Sequence, residues 1–173
     1  MIRRLLLQLL SLSTLVGALA AAPAAATEIW SGRTFSFTKA SGADPSLPAN
    51  QDRMTPVVWI TRGNSQGIYN VHLEPAFVHN VSPAGTEWAT GDAINHASLV
   101  FQPWELWATS VGGPPNSVGV NAVVHLIAED IFVDIVFDTW SQASGGGFSY
   151  RRGVSQATPA RPNTWGRTKS LYR

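Results

Sequence analysis

The sequence predicts an all-β fold: two antiparallel sheets packed as a sandwich or jelly roll. Three observations carry this. Segments of period-2 hydrophobicity recur between clusters of Gly, Pro, Asn and Ser. No 11-residue window beyond the N-terminal segment shows a helical stripe. Prolines at 45, 48, 56, 75, 83, 103, 114 and 115 fall between those segments or at their starts, where a missing N–H is tolerated.

The elements follow in order. Residues 1–26 read as a secretory signal peptide: Arg3 and Arg4 are basic, Leu5 to Ala20 is apolar, and Ala24-Ala25-Ala26 gives the small-residue cleavage pattern before Thr27. Residues 27–152 read as the β-sandwich domain. Thr34 to Thr38 alternates. Val57 to Thr61 and Gly67 to Val71 flank the Gly63-Asn64-Ser65 turn, which predicts a hairpin. Ser98 to Phe101 and Ala122 to Ile127 read as strands. Ile131 to Trp140 reads as the longest, with Ile131, Val133, Ile135 and Phe137 inward and Asp134 and Asp138 outward. Gly147 to Tyr150 reads as the last strand, after a Ser144-Gly145-Gly146 turn; the Gly145-Gly146-Gly147 run is read as a flexible hairpin turn. About eight strands in a domain of this size match two packed sheets. Residues 153–173 read as a linker and a short basic tail that carries Trp165, Leu171 and Tyr172.

The 173 residues are 45% hydrophobic and only 13% charged, a mixture that can build a core. No cysteine is present, which excludes a disulfide scaffold, a thiol nucleophile and Cys-ligated metal. Charge is segregated. Residues 27–150 hold four basic residues (Arg33, Lys39, Arg53, Arg62) and all 11 acidic ones, a net of −7. An acidic body disfavours nucleic acid, whose phosphates need a basic face. No segment after the signal is apolar enough to predict a membrane span.

Trp88, Trp104, Glu105 and Trp107 are the candidate ligand-binding residues. Exposed indoles beside a carboxylate suit sugar recognition, while the same tryptophans also suit a core. A glycosidase needs two facing carboxylates; Glu87 with Glu105, or Glu129 with Asp134, are the nominees, but no alternating acidic triplet occurs. Asp44, Asn50 and Asp52 are hard oxygen donors on one loop and form a candidate calcium site; turn chemistry explains them equally. His72, His79, His96 and His125 lack metal-ligand spacing. Ser117 lacks a nucleophile elbow, and no cofactor-binding loop is present.

Five stretches carry a resemblance: Ala49-Asn50-Gln51-Asp52-Arg53 (with Ser41 to Pro45 before it), Val58 to Arg62, Ser82 to Ala89, Asp130 to Asp134, and Gly145 to Tyr150. Together they resemble a group of uncharacterised secreted bacterial β-sandwich proteins with no assigned activity. The resemblance therefore implies a secreted sandwich and transfers no site residues. Some proteins similar to these end in a Pro-Glu-Pro sorting signal, which this sequence does not show. The expectation is an exported, non-enzymatic binding or structural module without a cofactor. Its expected partner is a surface polysaccharide or another cell-envelope component. A carbohydrate-binding module is the alternative, and a glycoside hydrolase a further one.

Overall fold

The computed structural model describes residues 26–142 and 144–156. The expected signal peptide, all but its last residue, and the expected tail from residue 157 lie outside the described residues. The fold is all-β, with most strands in two antiparallel sheets and little helix.

The strands are β1 Glu28–Trp30, β2 Phe35–Lys39, β3 Asp52–Arg53, β4 Trp59–Arg62, β5 Ile68–Asn70, β6 Thr86–Thr90, β7 Ala122–Leu126, β8 Ile131–Trp140 and β9 Phe148–Arg152. The larger sheet runs β2-β9-β8-β7-β6, and β1 lies parallel to the start of β8. The smaller sheet is β3-β4-β5. The expected hairpin over residues 63–67 is present, pairing Arg62 with Ile68.

β8 organises the molecule. Its Val133, Ile135 and Phe137 join a core that also takes Ile60 and Ile68 from the smaller sheet and Trp104 and Trp107 from a helix. Its other face is not the solvated one that alternation predicts. Phe132 joins Ala93 and Val123 in a second apolar cluster, with Ile29, Leu99 and Phe101 packed against it. A strand covered on both faces reads as continuous apolar sequence, which Ile131-Phe132-Val133 and Ile135-Val136-Phe137 do.

Asp134 is therefore buried, not outward. Its Oδ1 accepts the Ala93 N–H at 2.7 Å, and its Oδ2 accepts the Gly32 N–H at 3.0 Å. It pins two loops to the back of the sheet. Asp134→Ala should cost about 1.5–3 kcal/mol, because both amides lose a charged acceptor. Urea melts check this; a loss below about 0.5 kcal/mol would place Asp134 outside the packed structure. Asp138 faces out as expected and takes a forked pair of hydrogen bonds from Arg151.

Other expectations are corrected. Residues 98–101 form no strand; Ala93–Ser98 is a 3-10 turn whose downstream Leu99 and Phe101 cover the back of the sheet. Trp104–Ser110 is an α-helix, α1, with Trp104, Trp107 and Ala108 buried at helical spacing. Seven residues are too few for an 11-residue window to detect. The three-glycine run is packed, not a loose turn. A Cβ on Gly146 would sit 1.7 Å from the Gly63 carbonyl oxygen, so backbone meets backbone there. The start of the expected linker also belongs to the fold. Gly153 is buried and bonds the Asp134 carbonyl, and the Ser155 hydroxyl donates to Glu28.

Candidate functional site

At one end of the fold, two strands terminate in inward-facing cations. Val58, Ile60 and Arg62 share one parity along the β4 segment, and all three are buried. Phe37 and Lys39 do the same on β2. The chain then closes over both. The Arg62 Nε donates to the Gln66 carbonyl at 2.7 Å, which the positive φ of Gln66 (67°) turns back toward it. Nη1 donates to the carbonyls of Ser141 and Gly147, each at 3.1 Å, and Nη2 to Ser141 at 3.2 Å. The guanidinium lies 3.9 Å from the centre of the Trp140 ring. Lys39 reaches one acceptor, the Gly146 carbonyl, at 3.5 Å.

These contacts satisfy donors but do not neutralise charge. Among the described residues no carboxylate lies within ion-pair distance of Arg62 or Lys39. Burial pushes the Arg62 guanidinium down to about 10. Burial also lowers Lys39, and Arg62 adds to the effect while Asp44 opposes it.

Arg62 lines a cavity of about 240 Å³. Gln66 and Gly67 of the β4–β5 turn line it, as do Trp140 and Gln142. Phe77, His79, Trp104, Glu105, Pro114 and Pro115 complete it. A Cβ on Gly67 would strike Trp104 at 2.4 Å and Phe77 at 2.5 Å, so only glycine lets this turn approach the aromatic wall. The Trp104 indole N–H is buried with no hydrogen-bond partner among the described residues. Glu105 stands on α1 and accepts from the Asn80 N–H and from His79 Nδ1, the latter at 2.8 Å. Burial works against the Glu105 carboxylate, yet these two hydrogen bonds hold it below the usual range.

The four candidate ligand residues separate. Trp88 and Trp104 are 0% exposed and Trp107 1%. Trp88 stacks with Trp107 and Phe137, and the indole N–H groups of Trp88 and Trp107 donate to Thr86 and Thr90. They build the core and offer no face to a sugar. Of the four, Trp104 and Glu105 line the cavity, Trp104 with a fully buried ring. Two partly exposed tryptophans are also engaged. Trp59 packs against Arg53 at 4.0 Å and His72 at 4.4 Å, and Trp140 carries Arg62 and stacks on Trp104 at 5.6 Å.

The nominated carboxylate pairs do not meet at this cavity. Glu87 binds His125, which also contacts Asp130 at 3.2 Å. Asp134 serves the back of the sheet, and Glu105 is the one carboxylate lining the cavity. The calcium candidates serve three structural tasks. Asp44 accepts the Ser46 N–H, and the Asn50 side chain donates to the Asp44 carbonyl. Asp52 is spent on Arg152 and Tyr150. Among the described residues no three His, Asp or Glu side chains gather to hold a metal, and no helix is long and apolar enough to cross a membrane.

Sequence reasoning missed Arg62, His79, Trp140 and Gln142. For Arg62 a signal existed, the inward parity it shares with Val58 and Ile60. Comparison with protein families, with curated proteins and with solved structures finds no match to this chain.

Proposed function

We propose that this chain is an exported, non-enzymatic binding module of β-sandwich architecture, and that its ligand site is the cavity beside Arg62. One observation carries the binding reading: a buried arginine lines a cavity with no carboxylate within ion-pair distance among the described residues. A guanidinium used only to staple loops is more cheaply replaced by a neutral donor, since burying a charge is costly unless it is paired. A ligand with an anionic group would supply the missing charge.

Export rests on Arg3, Arg4, the apolar run and the Ala24-Ala25-Ala26 pattern. The sandwich rests on the core shared by the two sheets. A hydrolase reading is less well supported, because hydrolysis by two carboxylates needs a partner facing Glu105 across the cavity. A purely structural exoprotein is favoured by the burial of Trp88, Trp104 and Trp107, which removes the sugar-stacking surface but not the cavity.

The test has two parts. N-terminal sequencing of the protein recovered from the producing cell should begin at Thr27; retention of Met1 contradicts export. Amide resonances of Gly67, His79 and Gln142 should shift saturably when small anionic compounds are titrated. If none of them shifts with any compound of a neutral and anionic panel, the cavity is not a ligand site.

A further inference from the structure

Arg62 and Glu105, of opposite charge, line one cavity. Arg62 donates to neutral carbonyls, and a second cation, Lys39, lies near it. Guanidinium carries five N–H groups. Nε and Nη1 are fully used, and Nη2 spends one of its two on Ser141. One Nη2 hydrogen is left without an acceptor among the described residues. Each Glu105 oxygen accepts one hydrogen bond from the protein, which leaves acceptor capacity on both. Phe77, Pro114 and Pro115 add apolar lining.

A complementary ligand carries a carboxylate for Arg62, hydroxyl donors for Glu105 and an apolar ring edge. Neutral sugar fails the first condition, because the buried charge would stay unmatched. Sugar binding by stacking also lacks a platform here, since Trp140 already carries Arg62 and packs on Trp104. A phosphate or sulfate offers three or more acceptor oxygens to one spare N–H, and it would sit in the same small cavity as Glu105. A simple carboxylate such as acetate leaves Glu105 without a donor from the ligand. The cavity, about 240 Å³, lies below the range of about 300–1,000 Å³ that holds drug-sized ligands, so it suits a single small ring.

We propose that this cavity takes a uronate ring, its carboxylate against Arg62 and a ring hydroxyl against Glu105. This rests on the reading of the cavity as the ligand site. The ring is either a free sugar acid or a residue of an acidic polysaccharide, and the two share this recognition chemistry.

Calorimetric titration of the full folded protein with glucuronate and galacturonate tests it, with glucose, acetate and inorganic phosphate as comparison probes. A uronate should bind at least about tenfold tighter than glucose, acetate or phosphate. Gln142 is exposed and lines the same cavity as Arg62, so Gln142→Glu adds a carboxylate to that lining without touching the core. That variant should keep its melting temperature and lose at least about tenfold in uronate affinity. Arg62→Met also removes the loop hydrogen bonds, so it serves only where its melt matches the parent. A galacturonate oligomer binding tighter than the monomer would identify a polymer as the source; equal affinity would identify the single ring. Both support the assignment. Glucose, acetate or phosphate binding as tightly as uronate overturns the uronate assignment while the cavity remains a ligand site. Unchanged uronate affinity in Gln142→Glu moves the site away from Arg62 and overturns it too. Saturation by no probe overturns both the uronate assignment and the binding reading.

Discussion

Replacing Asp52 by alanine should destabilise the fold by about 3–5 kcal/mol, the loss expected when one partner of a buried ion pair is removed. Asp52 is on the short strand β3 of the smaller sheet, and its partners are on β9 of the larger one. Arg152 grips it with two bonds, Nε to Oδ2 at 2.6 Å and Nη2 to Oδ1 at 2.8 Å, and the Tyr150 hydroxyl donates to Oδ2 at 2.7 Å. Asp52 is 2% exposed, Arg152 5% and Tyr150 0%. The alanine variant strands a buried guanidinium and a buried phenol together. Asp52→Asn keeps one acceptor oxygen and should lose less. Urea unfolding of both variants, with unchanged slope, checks the order. A loss under about 1 kcal/mol for the alanine variant would mean that the two sheets do not meet at this network. The same network has an alkaline signature. Burial first, and Asp52 second, raise the Tyr150 phenol well above its ordinary value. The unfolded phenol ionises near pH 10 while the folded one stays protonated, so this contribution holds below about pH 10 and is lost as pH rises beyond it.

Trp88→Ala should cost about 3–5 kcal/mol as well, by leaving a cavity where an indole was. Trp88 sits on β6 at the centre of a stack with Trp107 and Phe137, at ring distances of 5.7 and 6.1 Å. The neighbouring backbone is held too, since Trp88 exchanges N–H and carbonyl bonds with Gln102. Leu106 lies on the same helix as Trp107 but is 45% exposed. Leu106→Ala should therefore stay within about 0.5 kcal/mol. If Trp88→Ala melted like the parent, the indole would belong to a surface, and the sugar-stacking reading would regain its platform.

The strands that sequence reasoning found, β2, β4, β5, β7, β8 and β9, lie in β-branched and aromatic runs bounded by turn residues. β1 and β3, Glu28–Trp30 and Asp52–Arg53, were missed because each is short, carries charge and has no such run around it. β6 was missed because Glu87-Trp88-Ala89 looks like a site motif, when its alternation simply sends Trp88 into the core. Asp134 was misplaced because an acidic residue on the second face of a strand reads as solvated. Here two loops cover that face, and the carboxylate satisfies one amide of each. The candidate site was legible in part. Glu105 and Trp104 line the cavity, Trp104 with a fully buried ring. Arg62 and Lys39 carry the same pattern as their apolar neighbours, yet a charge at the end of a strand is normally read as the strand leaving the core. What brings them together is the packing of the two sheets and the turn at residues 144–147, which no local pattern records.

Crystals of the protein soaked in glucuronate test most directly whether the cavity beside Arg62 binds a ligand through its unmatched charge. Ring density should fill the cavity, with the carboxylate within hydrogen-bond distance of Arg62 Nη2 and a hydroxyl on Glu105. Density for the sugar acid elsewhere on the protein, with a carboxylate of the protein itself found paired to Arg62, would contradict it.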